Sequence, residues 1–347
     1  MKKIFLISLF TSILSLISCS GDDESGSSAN SITVTADVTS TSYVNDPITF
    51  LTMTDGGRNV TSNSTYYVNG TAITGNVYTP TSIGDLNIYA TYTSGSTTLT
   101  SPTIIINIAQ SIAFNKKVLI EDFTGTWCGY CPRVSYAIEQ VNTRTSDAVI
   151  VAIHRGNDPY NFAGATDLEN QIGLSGYPTA MLNRNIDWAY PETSTNSINQ
   201  AVNLTTGRNP RLGIALETTT TGSTGTVKVN IKFGRDFSAL KLVVYAVEND
   251  LIYNQTNYTS YYGGVSTISN FDHDHVLRAV LTTSILGENI TGSTNYNNEF
   301  TKTFTYAIPA NVNTANVKYI AVVVDSSNRA VNSREAGTNE TQTFEIE

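Results

Sequence analysis

Asp122-Phe123-Thr124-Gly125-Thr126-Trp127-Cys128-Gly129-Tyr130-Cys131-Pro132 follows the apolar run Val118-Leu119-Ile120 and precedes a helical pattern. A strand that delivers two cysteines, two residues apart, to the first turn of a helix has the geometry of dithiol exchange. Unpaired N–H groups and the positive dipole end at a helix start stabilise a thiolate and lower its pKa. Cys128 is therefore the expected attacking thiol, and Cys131, one turn later on the same face, the resolving one. Val134, Ala137, Ile138 and Val141 recur at helical spacing, which predicts a helix with one face on a sheet. Pro132 is sterically acceptable just inside its start.

The same pair is compatible with two other arrangements. Two cysteines at this spacing make half of a zinc site, but a closed site needs four ligands. The chain has three cysteines, and Cys19 is committed elsewhere, at the end of the N-terminal apolar stretch, so no metal and no cofactor are expected here. An inert structural disulfide would carry the same residues.

Beyond the cysteines, the stretch closely resembles the active site of the thioredoxin superfamily, where an acid-Phe-x-x-x-Trp-Cys-Gly-x-Cys run ends the first core strand. The resemblance implies three roles. Asp122 falls where thioredoxins keep a buried carboxylate that relays a proton to the resolving thiol, and Trp127 where an indole shields the nucleophile. Gly176-Tyr177-Pro178-Thr179 looks like the cis-proline loop, whose backbone pairs with a bound peptide, so Tyr177 and Pro178 join Trp127 as substrate-binding residues. Gly129-Tyr130 departs from the Gly-Pro of thioredoxins proper and resembles the isomerase and oxidase branches, which leaves the direction of electron flow open.

The chain begins with Met1-Lys2-Lys3 and an apolar stretch from Ile4 to Ile17, a secretory signal too short for a membrane span. Leu16-Ile17-Ser18-Cys19 resembles a bacterial lipobox, which implies removal of residues 1–18 and lipidation of Cys19. Several acyl chains would then anchor the protein durably to a membrane. Residues 19–30 are Ser/Gly-rich and acidic and read as a tether. Asp22-Asp23-Glu24 resembles the acidic signal of lipoproteins displayed on the cell surface in Bacteroidetes-type bacteria, with the periplasmic face as the alternative. The formal charge of −9 becomes −11 once Lys2 and Lys3 leave, which argues against a nucleic-acid partner.

A length of 347 residues suits about three domains. Residues 31–110 alternate apolar and polar positions at Ile32/Val34 and Leu86/Ile88/Ala90/Tyr92, with turns at Asp55-Gly56-Gly57 and Asn69-Gly70. They resemble an immunoglobulin-like β-sandwich. Residues 111–207 read as the α/β thioredoxin-like domain. Its second strand is Ala148 to Ile153, a further helix lies within Asn161 to Ile172, Thr179 to Leu182 is the next strand, and Ile198, Ala201 and Val202 mark a closing helix. Residues 208–347 show runs at 212–216, 227–233, 240–247 and 319–324 that suggest a separate C-terminal β-sandwich.

Three features outside the dithiol bear on function. His154 leaves its strand at an edge where ligands often bind, and reads either as a base near the dithiol or as a capping or exposed histidine. Asn249 to Phe271 reads as a long Tyr/Asn-rich loop whose Tyr253, Tyr258, Tyr261 and Tyr262 either form a recognition surface or pack beneath it. In Asp272-His273-Asp274-His275, strand alternation puts both histidines on one face and both acids on the other, which favours structural hydrogen bonding over metal binding.

With the leader, the dithiol motif and His273-Asp274-His275-Val276-Leu277-Arg278, the chain from about Lys117 onward resembles the Omp28-related outer-membrane lipoproteins of Bacteroidetes. Two functions follow. One is a lipid-anchored thiol-disulfide oxidoreductase, whether oxidase, isomerase or reductase, whose partners are thiols or disulfides of exported proteins. The other is a surface binding or adhesion lipoprotein in which the two cysteines form a permanent staple.

Overall fold

The computed structural model describes residues 29–347, so the 1–18 leader, Cys19 and most of the 19–30 tether lie outside the described residues. The chain divides into two compact units between Ile108 and Ala109, close to the boundary read from the sequence.

The first unit is all β. Strands Ile32–Ala36, Ile48–Thr54 and Val77–Tyr78 form a three-stranded sheet. A six-stranded sheet runs in the order Thr41–Tyr43, Ile104–Ala109, Gly84–Ser94, Ser64–Val68, Thr71–Ile73, with Thr97–Thr100 also on Gly84–Ser94. Alternation decides which face each strand buries: Ile48, Phe50, Thr52 and Thr54 turn inward and the residues between them outward. Inward residues of both sheets, among them Ile32, Phe50, Tyr66, Ile88 and Ile106, form one core. Asn69 and Gly70 both have positive φ, 48° and 81°, and join Val68 to its partner Thr71 as a two-residue hairpin turn.

The second unit is organised around Val118–Thr124, buried at every position. It pairs in parallel with Ala148–His154 and antiparallel with Thr179–Leu182, which in turn pairs with Ile186–Asp187. Helix α1, Pro132–Asn142, buries Val134, Ala137, Ile138 and Val141, the face its spacing predicts. Helix α2 covers Thr166–Ile172 and α3 covers Thr195–Asn203, with the Ser194 side chain capping α3 by accepting from the Ser197 N–H. Along the central strand, Val118 and Ile120 face α1 and α3 in one core, while Leu119 and Phe123 face the other way into a second.

One expectation is corrected here. The sequence places a domain boundary at 207/208, but the sheet runs through it: Val276–Val280 pairs in parallel with Ala148–His154 at Ala152↔Val276. Beyond it come Lys241–Glu248, Val317–Val324 and Ala330–Ala336, with Glu288–Asn289 also on Lys241–Glu248, completing a nine-stranded sheet. The parallel edge of Ala148–His154 needed an apolar partner, and residues more than a hundred positions later supply it. A three-stranded sheet of Leu212–Thr221, Thr224–Phe233 and Glu299–Ala307 packs on Leu242, Val244, Tyr319 and Ala321. The C-terminal β layer therefore shares its second sheet with the dithiol-bearing strands and is not a separate sandwich.

The sheet also curls. Its last strand reaches back to the far side, where Ala330 N–H donates to the Asn183 carbonyl at 3.1 Å and Lys117 N–H to Asn332 Oδ1 at 3.2 Å. Inside the curl, Arg184 Nη2 donates to Glu121 Oε1 at 3.0 Å and to the Ile285 carbonyl at 3.1 Å, and the Tyr245 hydroxyl donates to Glu121 Oε1 at 2.9 Å. Both charged side chains are completely buried. Asn183 and Arg184 have φ of 47° and 71°, and this left-handed turn carries the guanidinium inward. Among the described residues, no helix is long and apolar enough to cross a membrane.

Candidate active site

The strand Val118–Thr124 ends in turns that wind directly into α1. Cys128 N–H donates to the Gly125 carbonyl at 3.0 Å, Cys131 N–H to the Cys128 carbonyl at 3.2 Å, and Val134 N–H to the Cys131 carbonyl at 2.9 Å. Cys128 and Cys131 are joined as a disulfide, with exposures of 4% and 1%. Both sulfurs are therefore buried in the disulfide form.

The residues singled out in the sequence converge on this point. Tyr177-Pro178 is a cis peptide bond, and because Thr179 pairs with Phe123, Pro178 comes to the end of the dithiol strand. A second cis bond, Tyr190-Pro191, carried no sequence signal. Trp127 stands 43% exposed at the rim, edge-on to Tyr177 with ring centroids 5.6 Å apart. Its indole N–H donates to the Arg155 carbonyl at 2.7 Å.

Asp122 lies below, on the sheet face that α1 covers, and Oδ1 has no hydrogen-bond partner. Burial pushes its carboxyl up to about 8; the Glu192 carboxylate adds to the rise and the Arg133 guanidinium opposes it. Arg133 and Glu192 are themselves paired at 2.5 Å.

His154 is neither a cap nor exposed. It is 2% exposed, and its Nδ1 lies 3.2 Å from Asp158 Oδ2. Asp158 also accepts from the N–H groups of Thr126, at 2.5 Å, and Tyr160, at 2.8 Å, so it ties the loop after Ala148–His154 to the turn before the cysteines. Burial alone would raise the Asp158 carboxyl, but the hydrogen bond and charge of His154 and these N–H donors outweigh it and hold it below the usual range.

The segment read as a long loop is mostly a hairpin, Leu251–Thr256 paired with Thr267–His273. Leu251-Ile252-Tyr253 and the turn at Gly263-Gly264 were the signal for it, masked by the abundance of Tyr and Asn. The hairpin grips the dithiol turn. Thr256 N–H donates to the Thr126 carbonyl at 2.9 Å, Tyr258 N–H to the Gly129 carbonyl at 2.7 Å, and Gln255 Nε2 to the Cys128 carbonyl at 2.9 Å. Gln255 is 3% exposed, and its amide also reaches the Gly125 carbonyl at 3.3 Å. Neither Gln255 nor Asp158 stood out in the sequence.

The four hairpin tyrosines divide between both expectations. Tyr253 and Tyr258 are exposed, at 49% and 67%, and Tyr258 meets Tyr130 edge-on. Tyr261 stacks on Tyr136 at 4.6 Å, and the Tyr262 hydroxyl donates to Glu139 at 2.7 Å, which fastens the hairpin to α1.

A Cβ built on Gly129 would lie 2.2 Å from the Tyr258 ring. Gly129→Ala is therefore expected to push Tyr258 away and destabilise the protein by about 1–3 kcal/mol. Amide exchange at Tyr258 should accelerate while the core strands stay protected; unchanged protection at Tyr258 would show that the hairpin does not clamp the turn.

The Asp272-to-His275 alternation fails at its end. The strand stops at His273, and His275 has φ of 59°, so the two histidines do not share a face. His273 turns inward with its ring 5.3 Å from that of His154, whereas His275 Nδ1 lies 3.8 Å from Glu335 Oε2. Burial and the neighbouring His154 push His273 down to about 4, and its Nε2 has no partner. Asp272 and Asp274 instead meet Asp250 in an exposed acidic trio.

A dithiol at a helix start, a buried acid beneath it and a β-rich frame around it define the class of chain that comparison with known proteins makes more particular. The family model described as Outer membrane protein Omp28 matches residues 165–342, just over half of the chain, and the chain belongs to that family. The match covers the hairpin and the C-terminal strands and begins after the cysteines, later than the Lys117 suggested by sequence. Protein disulfide-isomerase of Oryctolagus cuniculus is 30% identical over 93 residues, which is 26% of this chain and only 17% of that protein. The solved structure of HBP35 of Porphyromonas gingivalis superposes with a TM-score of 0.51 at 18% identity, over 66% of this chain and 77% of that one, a likeness of fold.

Proposed function

We propose that this chain is a thiol-disulfide oxidoreductase for exported proteins, held at the outer membrane by lipid on Cys19, with a thioredoxin-like α/β part and an immunoglobulin-like first unit. The observation that carries the function is the placement of Cys128 and Cys131 at the start of α1, with buried Asp122 on the strand leading to them and cis-Pro178 at that strand's end. The partial likeness to protein disulfide-isomerase supports it. The family's description as an outer membrane protein supports the location.

In the reducing direction, the Cys128 thiolate attacks a substrate disulfide and one substrate thiolate leaves. Asp122 takes the proton of Cys131, whose thiolate then attacks the Cys128 sulfur, closes the enzyme disulfide and releases the second substrate thiolate. Oxidation of a substrate dithiol is the reverse. Trp127, Tyr177 and the backbone around Pro178 dock the substrate strand.

Replacing Cys131 by serine removes the resolving thiol and should accumulate mixed disulfides between Cys128 and envelope proteins, visible as reducible high-mass bands. None would form with Cys128→Ser added, and absence of any in the single variant would count decisively against exchange.

The low exposure of Cys128 and the hairpin lying over its carbonyl favour a second function, a binding lipoprotein in which the pair is a closed staple. The reduction potential separates the two: roughly −270 to −120 mV for an exchange catalyst, below about −300 mV for a structural bridge.

A further inference from the structure

Beneath the dithiol turn lies a cavity of about 110 Å³, room for several water molecules. Its floor is the sheet face that carries Asp122, Thr124, Ala152 and His154. By register Asp122 sits beside Ala152, and Thr124 beside His154, so Asp122 and His154 are diagonal neighbours across the two strands. The small side chain at Ala152 leaves the space open. One wall is α1, through Ser135, which lies one turn after Cys131 on the same helix face and donates its N–H to the Cys131 carbonyl at 3.2 Å. The other wall is the hairpin, through Gln255 and His273.

Three buried polar atoms in this lining have no hydrogen-bond partner: Asp122 Oδ1 on the strand, and His273 Nε2 and His275 Nδ1 at the end of the hairpin. A buried polar atom left unpaired costs about 1–3 kcal/mol, so such atoms on both sides of one polar cavity point to water between them. His154 stands by His273, its Nδ1 held by Asp158, which leaves its second nitrogen for the cavity. The exposed residues of the lining, where the cavity meets solvent, are Asp272 and Asp274 on the hairpin side and Glu139 and Asn142 on the α1 side.

We propose that this cavity is a proton conduit, in which water links the Asp122 carboxyl to His154 and His273 and through them to solvent at the Asp272 and Asp274 rim. It rests on the dithiol function proposed above and deepens it. When Cys131 gives up its proton, Asp122 accepts it only if its own proton has gone. The histidines take that proton and pass it outward, and no electrons move in this step. His154 and His273 thus act through Asp122 as positioning residues. The titratable groups facing them are Asp158 and Tyr160 on the His154 loop, Asp272, Asp274 and His275 beside His273, and Glu139 on α1, whose carboxylate is bonded to Tyr262.

The test uses the full chain, reduced, with hydroxyethyl disulfide as oxidant, following formation of the Cys128–Cys131 disulfide across pH 5.5 to 9.5. His273→Gln, which keeps a polar group, and Ala152→Leu, which fills the cavity and leaves both histidines in place, are each expected to slow closure about tenfold at pH 6–7. Both should match the parent above about pH 9, where Asp122 is already ionised. A deficit equal at all pH values, or no deficit in either variant, would overturn the conduit. Failure of the parent itself to react with hydroxyethyl disulfide at any pH would overturn the dithiol function, and the conduit with it.

Discussion

Asp122→Asn is expected to leave stability at pH 4 nearly unchanged relative to the parent and to raise it by several kcal/mol at pH 9. The carboxyl has a folded pKa of about 8 against 3.8 for the free side chain, raised first by burial and then by Glu192. The folded state therefore binds the proton more tightly than the unfolded state. Its stabilising share is complete below 3.8, declines as pH rises from 3.8 to about 8, and is gone above that. Some four pH units at about 1.36 kcal/mol each cap the effect near 6 kcal/mol. An asparagine amide keeps an unpaired polar group in the same place, a pH-independent cost of about 1–3 kcal/mol, so the diagnostic is the difference between the two pH values. Denaturant titrations of the disulfide form measure it, and equal shifts at pH 4 and pH 9 would mean the carboxyl is not buried as described. The same variant should slow closure of the dithiol by about a hundredfold, because it cannot accept the Cys131 proton.

Arg184→Met is expected to destabilise the protein by about 3–5 kcal/mol, since it strands the Glu121 carboxylate inside the curl of the sheet with only the Tyr245 hydroxyl for company. Adding Glu121→Leu removes the stranded charge and should recover most of the loss. A single-variant loss below about 1 kcal/mol in guanidinium unfolding would show that the carboxylate finds water. The pair joins the dithiol strand to Lys241–Glu248, so unfolding should remain a single transition for the whole second unit in the parent.

The core of the α/β part was legible because local pattern and burial agree there. The apolar run Val118-Leu119-Ile120 reads as a strand and is one, the run from Ala148 to Ile153 is a strand buried on both faces from Val149 onward, and the helix spacing from Val134 to Val141 names the face that α1 buries. Asp122 was found through the resemblance of its stretch to the thioredoxin active site, although only the cavity and its unpaired Oδ1 show what surrounds it. What sequence missed is long-range. Nothing near Ala152 says that Val276 will lie beside it, and nothing in Gln255 or Thr256 says that they will bond to the dithiol turn. His154 was undecidable because its partner, Asp158, looks like any loop acid until the chain is folded. At His275 a single left-handed residue broke an alternation that the composition gave no reason to doubt.

The strand pairing of Ala152 with Val276 also sets an order of events. A chain that emerges from its N-terminus presents both cysteines long before Gln255, Thr256 and Tyr258 arrive to grip them, and closing so distant a contact is slow. Until then the thiols belong to an unfinished sheet with a bare edge. The chain thus carries a clock: its two cysteines are fixed in their final turn only after some 250 residues have been delivered.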